Sequence, residues 1–238
     1  MNKFNSFLKR KDIEFSFRRY GLDAMSAMAQ GLFCTLLIGT ILNTVGSQFH
    51  IGIFTKEIVN MAGKGLTIGG LAQAMAGPAM AVAIGYALKA PAMVLFTLVP
   101  VGYAANAMGG AGGPFAVYLV AIFASEMGKA VSKETKVDLL VTPTVTLLAG
   151  VGIAWLIAAP VGNAANSLGR LIMWATELHP LMMGILVAVL VGMALTLPIS
   201  SAAICAGLGL TGLAGGAALA GCCAQMVGFA VMSFRENR

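Results

Sequence analysis

Glu126 is the side chain that most strongly suggests chemistry, because it is an acidic residue within an apolar stretch, AIFASEMGKAV. An ionisable group at membrane depth is costly, and such groups commonly mark a substrate or ion pathway. Lys129 follows three residues later, on the same face of a helix, and can pair with the carboxylate. The sequence leaves two interpretations open: a structural ion pair, or a carboxylate that contacts a solute or gates its passage.

Polar side chains inside apolar segments form a second set of candidates. Hydroxyl and amide groups can hydrogen-bond a polyhydroxyl solute, and helices broken near proline supply backbone carbonyls for the same purpose. The same groups can instead hydrogen-bond a neighbouring helix. The set comprises Gln30, Thr35, Thr40, Asn43, Thr44, Gln73, Asn106, Thr142, Thr144, Thr146, Thr196, Ser200 and Ser201. From it we predict that Asn106, Thr142 and Thr144 bind the substrate together with Glu126.

The usual sequence signatures of catalysis are missing. There is no GxxxxGK[ST] phosphate loop and no HExxH zinc motif, and His50 and His179 have no carboxylate at metal-ligand spacing. The four cysteines lie in apolar stretches without a CxxC pair, as expected of buried thiols. We therefore predict no catalytic residue, no metal and no cofactor.

The composition indicates which elements must position these residues. Apolar residues make up 58% of the 238 residues and charged residues 10%, whereas a soluble domain carries about 25% charged residues. So little charge excludes a soluble enzyme, a disordered tail and a disulfide scaffold. We predict an all-α polytopic membrane protein with seven or eight transmembrane helices and amphipathic interfacial helices, and a re-entrant segment is one of two alternatives for its last apolar region.

The apolar runs predict where the spans lie. Residues 163–178 should form a separate amphipathic helix on the membrane surface. Residues 199–234 should form either a re-entrant hairpin plus one span or two short spans. In that region Gly212, Gly216, Ala220, Ala224 and Gly228 recur every four residues and predict a face for close helix packing. The six preceding spans are expected at 24–46, 66–88, 91–108 (interrupted by Pro100), 114–128, 139–161 and 181–197.

Basic residues are concentrated in the first 19 residues and in the loop 129–138. We predict that residues 1–22 form a basic amphipathic helix at the cytoplasmic interface, with a partly ordered cytoplasmic tail as the alternative, and that residues 23–238 form the transmembrane domain. Because cytoplasmic flanks are rich in Lys and Arg, the N-terminus and the loop 129–138 should face the cytoplasm. Membrane lipid is thus the expected partner, and nucleic acid is not.

The stretch 133–198, which begins SKETKVDLLVTPTVTLL, resembles the IIC membrane subunits of sugar phosphotransferase systems in the glucose superfamily. It has a Lys/Asp loop, a Pro-Thr-Leu-Leu span, a Pro-Val-Gly turn, an amphipathic helix and a Pro-initiated span in the same order. The opening, FLKRKDIEFSFRRYGLD, and the SKETKVDLLVTP box look closer to a branch described as regulators of toxin expression (PfoR-like). The Gly-Ile-Thr-Glu-Pro type substrate loop of family transporters does not occur in this sequence.

The resemblance implies a homodimeric protein of the bacterial plasma membrane that binds a small polar solute, a sugar above all, and passes it inward. A separate cytoplasmic IIB-type phosphocarrier would supply the phosphoryl group, so that the chain is at most the membrane subunit of an enzyme system. Two alternatives stay open: a non-transporting sensor that regulates gene expression, derived from a IIC component, and a structural scaffold or channel.

Overall fold

Long apolar stretches form helices in a computed structural model of the chain, which describes residues 3–61, 63–176, 179–194 and 212–236. A helix satisfies its backbone polar groups internally, as lipid requires. In these described ranges five helices are long and apolar enough to cross a membrane, or six if one bent pair counts as a span. The prediction of an all-α polytopic membrane protein is confirmed, with five or six candidate spans in the described ranges where seven or eight were expected for the whole chain.

The chain divides into two compact units. The first comprises Met1–Met108 and Ala116–Ala158, and the second Gly109–Phe115 and Ala159–Arg238. The elements are, in order, α1 (Lys3–Arg10), α2 (Arg18–Gln48), α3 (Gly52–Thr55), β1 (Val59–Met61), β2 (Lys64–Leu66), α4 (Ile68–Ala74), α5 (Ala76–Ala87), α6 (Ala92–Gly109), α7 (Gly113–Val131), α8 (Asp138–Thr176), α9 (Pro180–Ala194) and α10 (Gly212–Arg235). Helix α2 contains two π-helical stretches, Arg18–Asp23 and Phe33–Leu37, and β1 and β2 form an antiparallel hairpin.

The expected second span, 66–88, is broken into α4 and α5, whose axes differ by 51°. Thr67 caps the start of α4, since its hydroxyl accepts a hydrogen bond from the Gly70 amide at 3.0 Å. The same hydroxyl donates to Asn43 Oδ1 of α2 at 2.7 Å. One turn away along α2, Thr40 Oγ1 accepts from Gln73 Nε2 at 2.9 Å. Polar residues of the first span therefore join it to α4.

Two prolines were expected to interrupt helices, and neither does so. Helix α6 runs through Pro100, and α8 runs through Pro160 into the segment expected to form a separate surface helix. A proline removes one backbone donor, which a membrane helix tolerates when its neighbours and local adjustments satisfy the freed carbonyl. The residues 139–161 and 163–176 thus belong to one helix.

Small residues bring the helices of the first unit close together. A Cβ atom on Gly77 of α5 would lie 2.5 Å from the Gly102 carbonyl oxygen of α6, and a Cβ on Gly102 would lie 2.5 Å from the Gly77 carbonyl oxygen. The two backbones are therefore in direct contact, as is typical of membrane helix pairs. Around this contact the core is filled by Met80, Ile84, Leu98, Val101, Val117 and Val120.

The second unit packs α9 against α10 with a different face from the one predicted. Gly221 lies directly against the Ala188 backbone, and Ala218 is buried in a cluster with Val187 and Val191. In contrast, a Cβ on Gly216 or Gly228 would meet nothing within 4 Å, and Ala220 and Ala224 are exposed. The packed face follows the i, i+3, i+4, i+7 spacing that lies over one helix side. The interval 195–211, on which the predicted topology of 199–234 depends, is outside the described residues.

Candidate functional site

Lys129, near the end of α7, has the most deeply buried ammonium group in the described ion pairs, with 2% of its side chain exposed. Its Nζ lies 2.9 Å from Glu126 Oε1 and donates to the carbonyl oxygens of Asp12 and Leu88, both at 3.0 Å. The ammonium group thus makes two hydrogen bonds to carbonyls and one ion pair with a carboxylate. Lys129 thereby joins α7, the end of α5 and the N-terminal segment at one end of the first unit, which we call the Lys129 end.

The Leu88 carbonyl accepts from a second cation as well, Arg19 Nη2 at 2.9 Å. Leu88 immediately follows α5, and the carboxyl end of a helix carries a partial negative charge that favours cations. Lys89 then ends the helix with a φ of 56°. Its amide donates to the Tyr86 carbonyl at 2.9 Å, and the Ala90 amide donates to the Gly85 carbonyl at 2.9 Å. This is a helix end at which glycine is the usual residue.

Arg19 fixes the N-terminal segment through Asp12. Its two terminal nitrogens donate to the two carboxylate oxygens of Asp12, at 3.2 and 2.7 Å, a fork geometry that suits arginine and carboxylate. The hydrogen bond from Arg19 holds the pKa of Asp12 below its ordinary value. In the same segment, the Tyr20 carbonyl accepts from the Tyr118 hydroxyl of α7 at 2.6 Å.

Both carboxylate oxygens of Glu126 are buried, although 13% of its side chain is exposed, and within the described residues neither oxygen makes a hydrogen bond of ordinary geometry. Two hydroxyls are likewise buried without a hydrogen bond of ordinary geometry in the described residues, those of Ser125 and Tyr20. The Tyr20 hydroxyl is near enough to interact with the Glu126 carboxylate. Buried polar groups normally have hydrogen-bond partners. The carboxylate is thus both an ion-pair partner of Lys129 and an acceptor with unused capacity.

Glu134 forms an outer layer at the Lys129 end. Its Oε1 lies 2.5 Å from Arg10 Nη2 and 2.6 Å from Lys11 Nζ, and Lys11 also donates to the Ser132 carbonyl. Hydrogen bonding by Lys11, together with the charge of Arg10, holds the pKa of Glu134 below its ordinary value. With 38% of its side chain exposed, this carboxylate faces solvent between two cations.

A basic pocket of about 340 Å³ opens beside Glu134. It lies wholly within the first unit and brings together cations from the N-terminal segment, the end of α5 and the end of α7. Its lining residues are Arg10, Lys11, Lys89, Pro91, Lys129, Ser132, Lys133 and Glu134.

A second concavity of about 690 Å³ runs between α2 and α5, and we call it the α2–α5 groove. Its walls are mostly alanine and other small residues, which leave room between the helices. The polar side chains in its lining are Asp23, Ser26, Gln30 and Tyr86.

The four predicted substrate-binding residues do not lie at one place. Glu126 is at the Lys129 end, whereas Asn106 packs against Gly77, which is 11 residues and about 16 Å from Leu88 along α5. Thr142 is fully buried, and its hydroxyl donates to Asp138 Oδ1 at 2.5 Å. Thr144 is exposed and donates to the Leu140 carbonyl at 2.7 Å. Contact of these four residues with a solute stays a prediction.

Sequence reasoning missed the residues that come to Lys129 from far along the chain. Asp12 is 117 residues and Leu88 41 residues from Lys129, and both contribute a backbone carbonyl, which no side-chain motif can reveal. The signal that was available is the i, i+3 spacing of Glu126 and Lys129, which gave an ion pair as one of two interpretations, and the structure contains this pair.

Comparison with known proteins places this architecture in a family. No curated protein and no solved structure matches the chain. A family model described as "Phosphotransferase system, EIIC" matches residues 22–238, nearly the whole chain. With its apolar helices, the chain therefore belongs to the EIIC family of phosphotransferase-system membrane subunits.

Proposed function

We propose that the protein is a membrane transport subunit that binds a small polar solute, a sugar above all, and passes it into the cell. The match to the EIIC family over residues 22–238 is the observation that carries this proposal. The phosphoryl group would come from a separate IIB-type phosphocarrier on the cytoplasmic side. We further propose a homodimer in a bacterial plasma membrane, with the N-terminus cytoplasmic and the division between residues 22 and 23 as predicted from the sequence.

The broken second span supports a transport role. Discontinuous helices are a common way for transporters to build a binding site within the membrane, and the break between α4 and α5 bends the chain by 51°. The α2–α5 groove lies along the second half of this broken span. Ser26, Gln30 and Asp23 supply it with a hydroxyl, an amide and a carboxylate, which are the groups that recognise sugar hydroxyls.

Of the four predicted contacts, Glu126 has the best support. Its carboxylate has unused acceptor capacity in a buried position, which a solute hydroxyl could fill. The PfoR-like branch remains our prediction about which part of the family the chain resembles, and a sensor role would follow if the protein binds its solute without moving it.

Uptake of radiolabelled sugars into proteoliposomes tests the proposal. Purified protein should take up at least one sugar, and a complete phosphoryl donor system should increase the accumulation. Substitution of both Ser26 and Gln30 by alanine should reduce the uptake, whereas the matched change Ser47→Ala, on the same helix but outside the groove, should not.

Two outcomes would contradict transport. Saturable sugar binding without uptake would favour the sensor. If the wild-type protein neither binds nor takes up any sugar of a broad panel, with or without the donor system, the solute class is wrong.

A further inference from the structure

The basic pocket is not used by the proposed transport function. Five of its lining residues are cationic, namely Arg10, Lys11, Lys89, Lys129 and Lys133, and one is acidic, Glu134. Its volume of about 340 Å³ falls at the lower end of the range for small-molecule sites, about 300–1,000 Å³. So much positive charge around a concavity of this size points to an anionic ligand.

The cations of the pocket differ in how far they are already neutralised. Lys129 is paired with Glu126, and Arg10 and Lys11 share Glu134. The exposed ammonium groups of Lys89 and Lys133, by contrast, have no carboxylate within 4.0 Å in the described ranges. Asp12 and Asp138 are the acidic groups that interact with them at longer range. Two charges therefore remain for a ligand.

The backbone holds these two lysines in an unusual conformation. Lys89 has a φ of 56° and Lys133 a φ of 62°, and each follows the end of a helix, where glycine would adopt that conformation at no steric cost. A residue with a Cβ pays for the left-handed conformation, and such residues concentrate at functional sites. The backbone thus fixes the direction in which both side chains leave the chain, and both line the pocket.

Glu134 indicates which chemistry the pocket accepts. Its carboxylate already lies between Arg10 and Lys11 at 2.5 and 2.6 Å, so the pocket holds one oxyanion of the chain itself. A phosphate group carries more oxygens and up to two charges, and charge-assisted hydrogen bonds to phosphate are among the stronger ones in proteins. Lys89 and Lys133 are placed to meet the additional oxygens.

We propose that the basic pocket binds a phosphate group, supplied either by the headgroup of an anionic phospholipid or by a free phosphate ion. The site acts independently of solute transport, so it stands or falls separately from the proposed function.

The test measures binding of radiolabelled inorganic phosphate to the full chain in phosphatidylcholine nanodiscs at an ionic strength of about 0.15 M, at which charges outside the pocket are screened. The wild-type protein should bind phosphate saturably. The double substitution Lys89→Gln with Lys133→Gln should weaken binding about tenfold or more, because it removes both unneutralised cations. The control Lys56→Gln with Lys136→Gln makes the same charge change at two exposed lysines outside the pocket and should change the affinity by about twofold at most.

A second arm identifies the source of the phosphate group. Nanodiscs that contain phosphatidic acid should compete with inorganic phosphate, and lipid retained in native mass spectrometry should depend on the same two lysines, if the ligand is a headgroup. If phosphate binds equally in both kinds of nanodisc, the ligand is the free ion. Either result supports the site.

Three results would overturn the proposal: no saturable binding of phosphate and no retention of phosphatidic acid by the wild type, full binding by the pocket variant, or an equal loss in the control variant. Should the glutamine variant fail to fold, Lys89→Gly with Lys133→Gly replaces it. Glycine favours the left-handed backbone at both positions, so this variant keeps the helix ends while it removes both charges.

Discussion

Lys129 shows how a charged residue becomes part of a membrane protein's framework. Its ammonium group is nearly inaccessible and is satisfied by one carboxylate and two carbonyls. A buried charge without partners costs several kcal/mol of folding free energy. The carboxylate and the two carbonyls together offset this cost. The ion pair with Glu126 is therefore structural in this conformation, which does not prevent the unused acceptor capacity of Glu126 from serving a solute.

Glu126→Gln should destabilise the protein by about 3 kcal/mol, because it leaves a buried ammonium group without its counter-charge. Thermal unfolding in detergent, followed by circular dichroism, measures the loss. Glu134→Gln is the matched control, since it breaks the two ion pairs of a carboxylate that faces solvent, and its effect should be much smaller. Equal unfolding temperatures for wild type and Glu126→Gln would show that the ion pair does not stabilise the fold. If sugar binding is unchanged as well, Glu126 is not a solute contact.

Acidification should release the N-terminal segment. The folded-state pKa of Asp12 is lowered by Arg19, so the stabilisation is fully present above the unfolded value, about 3.9, and is lost as the pH falls through the folded value. The protection factors of residues 11–20, which are the exchange rates corrected for the intrinsic rate at each pH, should fall below about pH 4. In Asp12→Asn this pH dependence should be absent, although the Asp12 carbonyl, which Lys129 binds, is retained. Wild-type protection factors that stay constant from pH 6 to about pH 3 would contradict the role of the ion pair.

Helix packing in the first unit depends on the absence of side-chain atoms where two helices touch. Gly102 and Gly77 bring the α5 and α6 backbones into contact, which positions the end of α5 and with it Leu88 and Lys89. The Lys129 end is thus held partly by a contact at the opposite end of the same helix.

Gly102→Ala should destabilise the protein by about 1–3 kcal/mol, because the new Cβ would collide with the Gly77 carbonyl and the Ala81 side chain. Gly152→Ala is the matched control within a helix, since a Cβ there would meet nothing within 4 Å. This control should be neutral or stabilising by about 0.5–1 kcal/mol through helix propensity. Thermal unfolding of the two variants in one detergent gives the comparison, and a more stable Gly102→Ala would show that the two backbones are not in contact.

Some helices of the structure could be predicted from the sequence, and their breaks and continuations could not. Apolar runs bounded by charge located α2 and α7, because burial in lipid is a property of composition. The break at Met75 was missed, since AQAMAGPAM is compatible with one helix and the bend is stabilised by partners on α2. At Pro100 and Pro160 a break was predicted where the helix continues. Each proline removes a backbone hydrogen bond, but the neighbours of a membrane helix can satisfy the freed carbonyl.

The Lys129 end was predictable only in part. The spacing of Glu126 and Lys129 is local and predicted their pairing. The carbonyls of Asp12 and Leu88 and the left-handed backbone of Lys89 and Lys133 depend on long-range packing and helix ends, for which the sequence has no local pattern.

The distribution of charge over the whole molecule predicts its orientation. Both the N-terminal segment and the loop at 132–137 are basic, and the structure joins them through Arg10, Lys11 and Glu134. Two segments in contact at one end of a unit must face the same side of the membrane, and the positive-inside rule predicts that this side is the cytoplasm.

A labelling experiment checks this assignment. In a background in which Cys34, Cys205, Cys222 and Cys223 are replaced by serine, Lys136→Cys should react with a membrane-impermeant maleimide only when the cytoplasmic side is open. Lys56→Cys, which follows the first span, should react from the external side of intact cells. External labelling at position 136 would show that the orientation is the opposite of the predicted one. The distribution of charge would then no longer support the proposed direction of transport.

The shared acceptor at Leu88 has a practical consequence for anyone who handles this protein. Arg19 donates to the Leu88 carbonyl, and the Asp12 carbonyl accepts from Lys129, so removal of the segment that contains both residues would leave the end of α5 without part of its support. A variant that lacks residues 1–21 should therefore be recovered in lower yield and aggregate during purification.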